Sequence, residues 1–181
     1  MRLGVFGGSF DPPHVGHFLA AVDAAERLGL SRVIWVPAAH QPLKTAAPHA
    51  ATAEQRYAMV VAAISADPRF SASRIEIDRP GLSYTVSTVE AFAREYPDAE
   101  LFLLIGEDAW ARFGEWREPE RIRTLVQIEV LARRDDSAYA GRVVEVSSTE
   151  IRARVRAGKT VRGFVQDAVA EIIESEGLYQ W

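Results

Sequence analysis

No cysteine occurs among the 181 residues, which excludes disulfides, thiolate metal sites and a cysteine nucleophile. Asparagine is absent too, and Lys44 and Lys159 are the only lysines, so arginine carries nearly all the positive charge. No apolar run approaches the roughly 18 residues of a membrane span, and the first strand-like segment opens at Arg2. The expectation is a cytoplasmic protein with no membrane partner. A net charge of −4 argues against nucleic acid as a partner. The charge is uneven, since residues 112–162 hold twelve Arg/Lys against eight Asp/Glu. Such a stretch is either a solvated helical face or a wall that binds phosphate. What is present is ordinary for a globular chain: 48% apolar and 25% charged residues, which excludes wholesale disorder. The length predicts a single domain over 1–181, with a C-terminal helical part from about 147.

Arg2–Phe6 is a short apolar strand that runs into a Gly/Pro-rich turn, Gly7 to Gly16. Phe18, Val22, Ala25 and Leu28 then recur at helical spacing until Gly29. Arg32–Val36 is a β-branched strand, and Thr52 with Gln55 forms a capping box opening a helix through Ile64. Strands are expected near Arg74–Ile77, at Leu101–Ile105, at Gln127–Leu131 and at Val143–Val146. Helices are expected at Thr85–Glu95, around Asp108–Phe113, at Pro119–Leu125, from Ser147 to Gly158 and at Val165–Ser175. This alternation predicts an α/β fold, a doubly wound, mostly parallel Rossmann-like sheet of order 3-2-1-4-5 with helices on both faces. Its crevice would open at the carboxyl ends of strands 1 and 4, at Gly7-Gly8 and Gly106-Glu107-Asp108.

The residues at that crevice are unusual. Gly7 and Gly8 let the backbone approach a ligand closely, Ser9 adds a hydroxyl, and His14 and His17 flank Gly16 at a helix start. Free N–H groups and the helix dipole favour an anion there, and two imidazoles can donate to phosphate oxygens as charge develops. A zinc site fails for want of a third ligand. A second patch, Ser147-Ser148-Thr149-Glu150-Ile151-Arg152, reads either as a capping box or as a phosphate cradle of three hydroxyls and a forked cation. Gly158-Lys159-Thr160 imitates half a P-loop, but Ala153 stands where that motif needs glycine, and Gly158 reads as a helix stop.

The run GGSFDPPHVGH resembles the (T/H)xGH nucleotidylyltransferase superfamily, in the form of bacterial nicotinate-nucleotide adenylyltransferases. The second patch resembles the superfamily's ISSTxxR signature, with Val146 for Ile. The likeness extends over nearly the whole chain. It implies adenylyl transfer from ATP to nicotinate mononucleotide, with Mg²⁺ carried on ATP and no resident metal site. It implies catalytic roles for His14, His17 and Arg152. For ATP it implies contacts from Gly7, Gly8, Ser9, Phe10, His14, His17, Lys44, Gly106, Asp108, Ser147, Ser148, Thr149 and Arg152. For the mononucleotide it implies Ser9, Lys44, Thr85, Trp116, Arg117 and Arg133. Glu107, and Arg133-Arg134 where the family has RPG, depart from its pattern.

Rival readings remain. Nicotinamide mononucleotide or phosphopantetheine could replace the nicotinate substrate, and a non-catalytic nucleotide sensor could use the same fold. A tRNA synthetase fragment shares the His-Gly-His logic but lacks a lysine-rich second signature. Oligomeric state is not legible in the sequence.

Overall fold

The computed structural model describes residues 1–40, 49–131 and 144–180. Strands and helices alternate as β1 (Arg2–Gly8), α1 (Val15–Arg27), β2 (Arg32–Pro37), α2 (Ala53–Ile64), β3 (Phe70–Ala72), α3 (Thr85–Glu95) and β4 (Glu100–Gly106). There follow α4 (Glu107–Ala111), a 3-10 turn at Phe113–Glu115, α5 (Pro119–Leu125), β5 (Gln127–Leu131), α6 (Ser148–Arg156) and α7 (Asp167–Ser175). The five strands form one parallel sheet in the order β3-β2-β1-β4-β5, the expected doubly wound topology. It is a Rossmann-like sheet.

The period-two alternation of the strands divides the core between the two faces. Phe6, Val33, Trp35, Phe102 and Leu104 point to the side packed by α1, α2, α6 and α7. Leu3, Val5, Ile34, Val36, Leu101, Leu103 and Ile105 point to the side packed by α3 and α5. The central strands are apolar on both faces because helices cover both. Helices α2 and α7 meet through Met59, Val60 and Ala63 against Val169, Ala170 and Ile173, which brings the end of the chain under the first loop.

Three expectations about the elements are corrected. The strand expected near Arg74–Ile77 lies at Phe70–Ala72, directly after the Asp67-Pro68 turn, where it pairs with Val33–Trp35. Residues 75–80 are turn and bend instead; the Ile-Glu-Ile alternation misleads because Glu76, not its neighbours, is the buried residue. Residues 144–146 form no strand, and the Val146 N–H bonds back to the Val144 carbonyl. The last helix starts at Asp167 rather than Val165, which bridges to Arg162. Gly158, at φ +62°, ends α6 in the left-handed conformation, so the Lys159-Thr160 pair follows a helix stop and not a phosphate loop. Among the described residues no helix is long and apolar enough to cross a membrane.

Candidate active site

A cleft of about 210 Å³ opens at the carboxyl ends of β1 and β4, between Gly7-Gly8 and Gly106. This is where the direction of winding reverses. Its floor is Phe6 and Phe10, and His14 and His17 stand at its edge. Phe10 adopts φ 48°, which turns its ring back under the loop, edge-on to Phe6 at 5.4 Å and to His17 at 5.2 Å. That fold-back requires Gly8, because a Cβ there would lie 2.8 Å from the Phe10 ring. The buried aromatic ring therefore supports His17 from below.

The two histidines build the start of α1 in an unusual way. His14 is the N-cap, and its Nδ1 accepts the His17 N–H at 3.3 Å. His17 Nδ1 reaches back to accept the His14 N–H at 3.2 Å. This is a capping box made of two imidazoles, whose rings stack 3.7 Å apart at 28°. With each Nδ1 an acceptor, the ring proton of each belongs on Nε2, so both residues present an N–H donor. Gly16 makes room for the stack, since a Cβ there would meet His14 Nδ1 at 3.0 Å.

The second motif grips this loop. Ser147 caps α6 by accepting the Glu150 N–H at 3.1 Å. Ser148 Oγ donates to the Pro12 carbonyl at 2.8 Å, and Arg152 donates to the Asp11 carbonyl at 2.7 Å and to Thr149 Oγ1 at 3.2 Å. The helix-capping reading therefore holds, and the same motif sets a half-buried guanidinium against the histidine loop.

Three residues that sequence reasoning missed stand behind the loop. Asp11, 5% exposed, accepts from the Ala50 and Ala51 N–H groups at 2.7 and 3.1 Å and from the Tyr179 hydroxyl at 2.9 Å. Burial and the neighbouring Asp11 charge push the Tyr179 phenol well above its ordinary value, so it stays a donor. Arg56, 1% exposed, donates to the Ser9, Ala51 and Ala39 carbonyls. Burial lowers its pKa, opposed by Asp11, yet an arginine stays protonated. A signal for Arg56 existed, since it shares an i, i+3, i+4, i+7 stripe with Met59, Val60 and Ala63.

At the other side of the β2 terminus, Ser83 joins the strand end to α3. Its Oγ accepts from the Ala39 and His40 N–H groups, and its N–H donates to the His40 carbonyl. The Ala38 N–H in turn reaches the Gly8 carbonyl, so the start of α3 is tied to the cleft. Glu76, also missed, is 8% exposed, accepts from Thr88 Oγ1 at 2.7 Å and bonds Ser83. Burial raises its pKa above the ordinary carboxylate range. Thr85 is the first residue of α3, whose N-cap Tyr84 makes no side-chain cap. The Arg117 guanidinium lies over the Tyr84 ring at 4.8 Å, and Trp116, half-buried, packs 5.3 Å from Phe113. Thr85, Trp116 and Arg117 are thus brought to one place. Asp108 stands exposed in the first turn of α4, beside Gly106. Lys44 and Arg133 lie outside the described residues.

A doubly wound parallel sheet whose switch-point cleft carries two oriented imidazole donors, with an arginine bonded to the same loop, is the architecture of a nucleotidyltransferase. The cytidylyltransferase-like family profile matches residues 5–154. A Gemmatimonas aurantiaca protein named "probable nicotinate-nucleotide adenylyltransferase" is 46% identical, covering 99% of this chain and 93% of that one. A Thermus thermophilus protein of the same name is 44% identical, covering 99% and 100%. The chain belongs to the nicotinate-nucleotide adenylyltransferase family. The fold agrees with solved structures: one from Vibrio parahaemolyticus at TM-score 0.77, 22% identity, and 99% and 96% coverage. Another is Plasmodium falciparum nicotinic acid mononucleotide adenylyltransferase complexed with NaAD, at TM-score 0.76, 12% identity, and 98% and 97% coverage.

Proposed function

We propose that the protein transfers the adenylyl group of ATP to nicotinate mononucleotide, releasing nicotinate adenine dinucleotide and pyrophosphate. The observation that carries this reading is the reciprocal imidazole cap, which sets the His14 and His17 Nε2–H groups at the cleft edge. A 5′-phosphate oxygen of the mononucleotide attacks the α-phosphorus of ATP, and the bond to the β-phosphate bridge oxygen breaks. A phosphomonoester is largely dianionic at neutral pH because its second pKa is about 6, so the nucleophile needs no dedicated base. What the reaction requires is alignment of two anions and neutralisation of a leaving pyrophosphate. His17 donates nearest the α-phosphate and His14 beside it, while Arg152 and Lys44 hold the leaving group. Gly7, Gly8, Ser9 and Phe10 shape the phosphate approach, Ser147, Ser148 and Thr149 line the cradle, and Asp108 with Gly106 takes the ATP ribose.

Among the described residues no three His, Asp or Glu side chains gather in ligand geometry. A Mg²⁺ would come with the triphosphate, and no residue of this chain is assigned to hold it. Bound so, the ion would offset charge on the departing phosphates.

The mononucleotide lies toward α3, with Thr85, Trp116 and Arg117, and with Ser9, Lys44 and Arg133 reaching its phosphate. The acid rather than the amide is favoured by one observation. The first turn of α3 has no side-chain cap, and the Arg117 guanidinium, which also pairs with Glu118 at 3.4 Å, lies beside it, a setting that rewards a carboxylate. A single domain over 1–181 is supported by Ser148, Arg152 and Tyr179, which come from the last quarter of the chain and bond the first loop.

The test incubates the protein with Mg-ATP and, separately, nicotinate mononucleotide, nicotinamide mononucleotide and phosphopantetheine, resolving products by mass. A preference of 10²-fold or more in kcat/KM for the nicotinate form, about 2.7 kcal/mol, is expected. Preference for the amide or for phosphopantetheine overturns the substrate assignment, and bound ATP without product from any of them marks a sensor.

A further inference from the structure

Beyond the histidines the cleft continues along one stripe of α1. Gly16, Ala20 and Asp23 follow at i, i+4 and i+7, and all three line the cleft. Across from them stand Leu131, Val144 and Val146, with Val144 Cγ1 only 3.7 Å from where a Gly16 Cβ would lie. One wall is thus made of a missing side chain and a methyl, the other of branched apolar groups. Such a slot has room for a flat ring.

The slot has a polarity. His14 and His17 present donors at one end, and among the described residues that line it Asp23 is the one carboxylate. Asp23 follows His17 by six residues, about 9 Å along the helix axis at a rise of 1.5 Å per residue. That separation matches the reach of a nucleotide from its phosphate to the far edge of its base. A carboxylate accepts hydrogen bonds and cannot donate them. It rewards an exocyclic amino group and repels an exocyclic oxygen.

We infer that Asp23 selects the base of the nucleoside triphosphate, accepting from the exocyclic amine of an aminopurine and rejecting 6-oxopurines. The inference rests on the adenylyl-transfer reading above, and it assigns a specificity determinant to a residue remote from the phosphates. A site that offers a hydrogen-bond acceptor to an amino group discriminates by more than a site that offers packing alone.

The experiment compares ATP with inosine triphosphate, which differs at the decisive position, using wild type, Asp23→Asn and Asp23→Ala. Wild type is expected to favour ATP by roughly 10²-fold in kcat/KM. Asp23→Asn, whose amide can donate as well as accept, should bring that ratio to within a fewfold. Asp23→Ala should raise KM for ATP roughly tenfold, with KM for the mononucleotide unchanged. A merely structural role would lower both triphosphates together and leave their ratio intact. An unchanged ratio in both variants overturns the assignment. If wild type forms no product, the adenylyl-transfer reading fails by itself, and equilibrium binding of the two triphosphates to the same three proteins decides the role of Asp23.

Discussion

His14 and His17 cap one another, each Nδ1 accepting the other's backbone N–H. The relationship gives Nδ1 the job of building the helix start, and the proposed reaction assigns Nε2 to the ligand. Asparagine can place an oxygen near the Nδ1 position but offers nothing at Nε2. His17→Asn should therefore keep the cap and unfold at nearly the wild-type temperature while losing 10²-fold or more in kcat, on the order of 3 kcal/mol. His17→Ala should lose both, with about 1 kcal/mol of stability gone with the cap. Pyrophosphate release and thermal unfolding, measured side by side, check this. Near-normal turnover in either variant removes His17 from the chemistry.

Ser148 and Arg152 act on the same loop by different means, and substitution should tell them apart. Ser148→Ala loses a hydrogen bond to the Pro12 carbonyl, costing about 1 kcal/mol of stability, and as a cradle residue it should raise KM for ATP more than it lowers kcat. Arg152→Ala should cost 10²-fold or more in kcat. Arg152→Lys should recover only part, because one ammonium cannot span the Asp11 carbonyl and Thr149 Oγ1 while also meeting a phosphate. Denaturant unfolding and steady-state rates for the three variants give the comparison.

The strand order and the location of the cleft were legible because hydrophobic runs, capping residues and turn glycines agree along most of the chain. Val86, Val89 and Phe92 form the buried face of α3 as their spacing predicts, and Thr52 and Gln55 make the reciprocal cap. What escaped was polar burial. Asp11 and Glu76 sit where a reading by hydropathy puts loops, Arg56 falls on the buried stripe of α2, and the partners of the three lie 5 to 168 positions away along the chain. Local pattern carries no information about such pairings. The β3 position was misplaced for the same reason, since Glu76 in Arg74–Ile77 points inward only because Thr88 and Ser83 meet it.

Tyr179 ties the chain's end to Asp11, so removing one hydroxyl should be felt at the first loop. Tyr179→Phe deletes a donor to a buried carboxylate and should destabilise by about 1–3 kcal/mol. In an Asp11→Asn background the same change should cost less, because the charge that made the bond strong is gone. A double-mutant cycle from urea unfolding measures the coupling. Additivity within experimental error would mean that the two side chains are neighbours without being partners.

Glu76 predicts a pH dependence whose sign follows from burial. Its folded-state pKa is raised, first by desolvation, with the Thr88 and Ser83 hydroxyls and the Arg79 charge opposing. The folded protein therefore holds this proton more tightly than the unfolded chain does. The contribution is complete below the ordinary glutamate value and is lost as pH climbs through the raised one. Other groups change stability over the same range, so the difference against Glu76→Gln isolates the effect. The amide keeps an acceptor for Thr88 and never ionises, so Glu76→Gln should gain on wild type steadily as pH rises from about 4.5, the usual carboxylate region. Urea unfolding of both proteins from pH 4 to pH 8 reads the difference directly. A gap that stays flat would show Glu76 carrying the same charge folded and unfolded, and a gap of the opposite slope would show that its hydroxyl partners outweigh its burial.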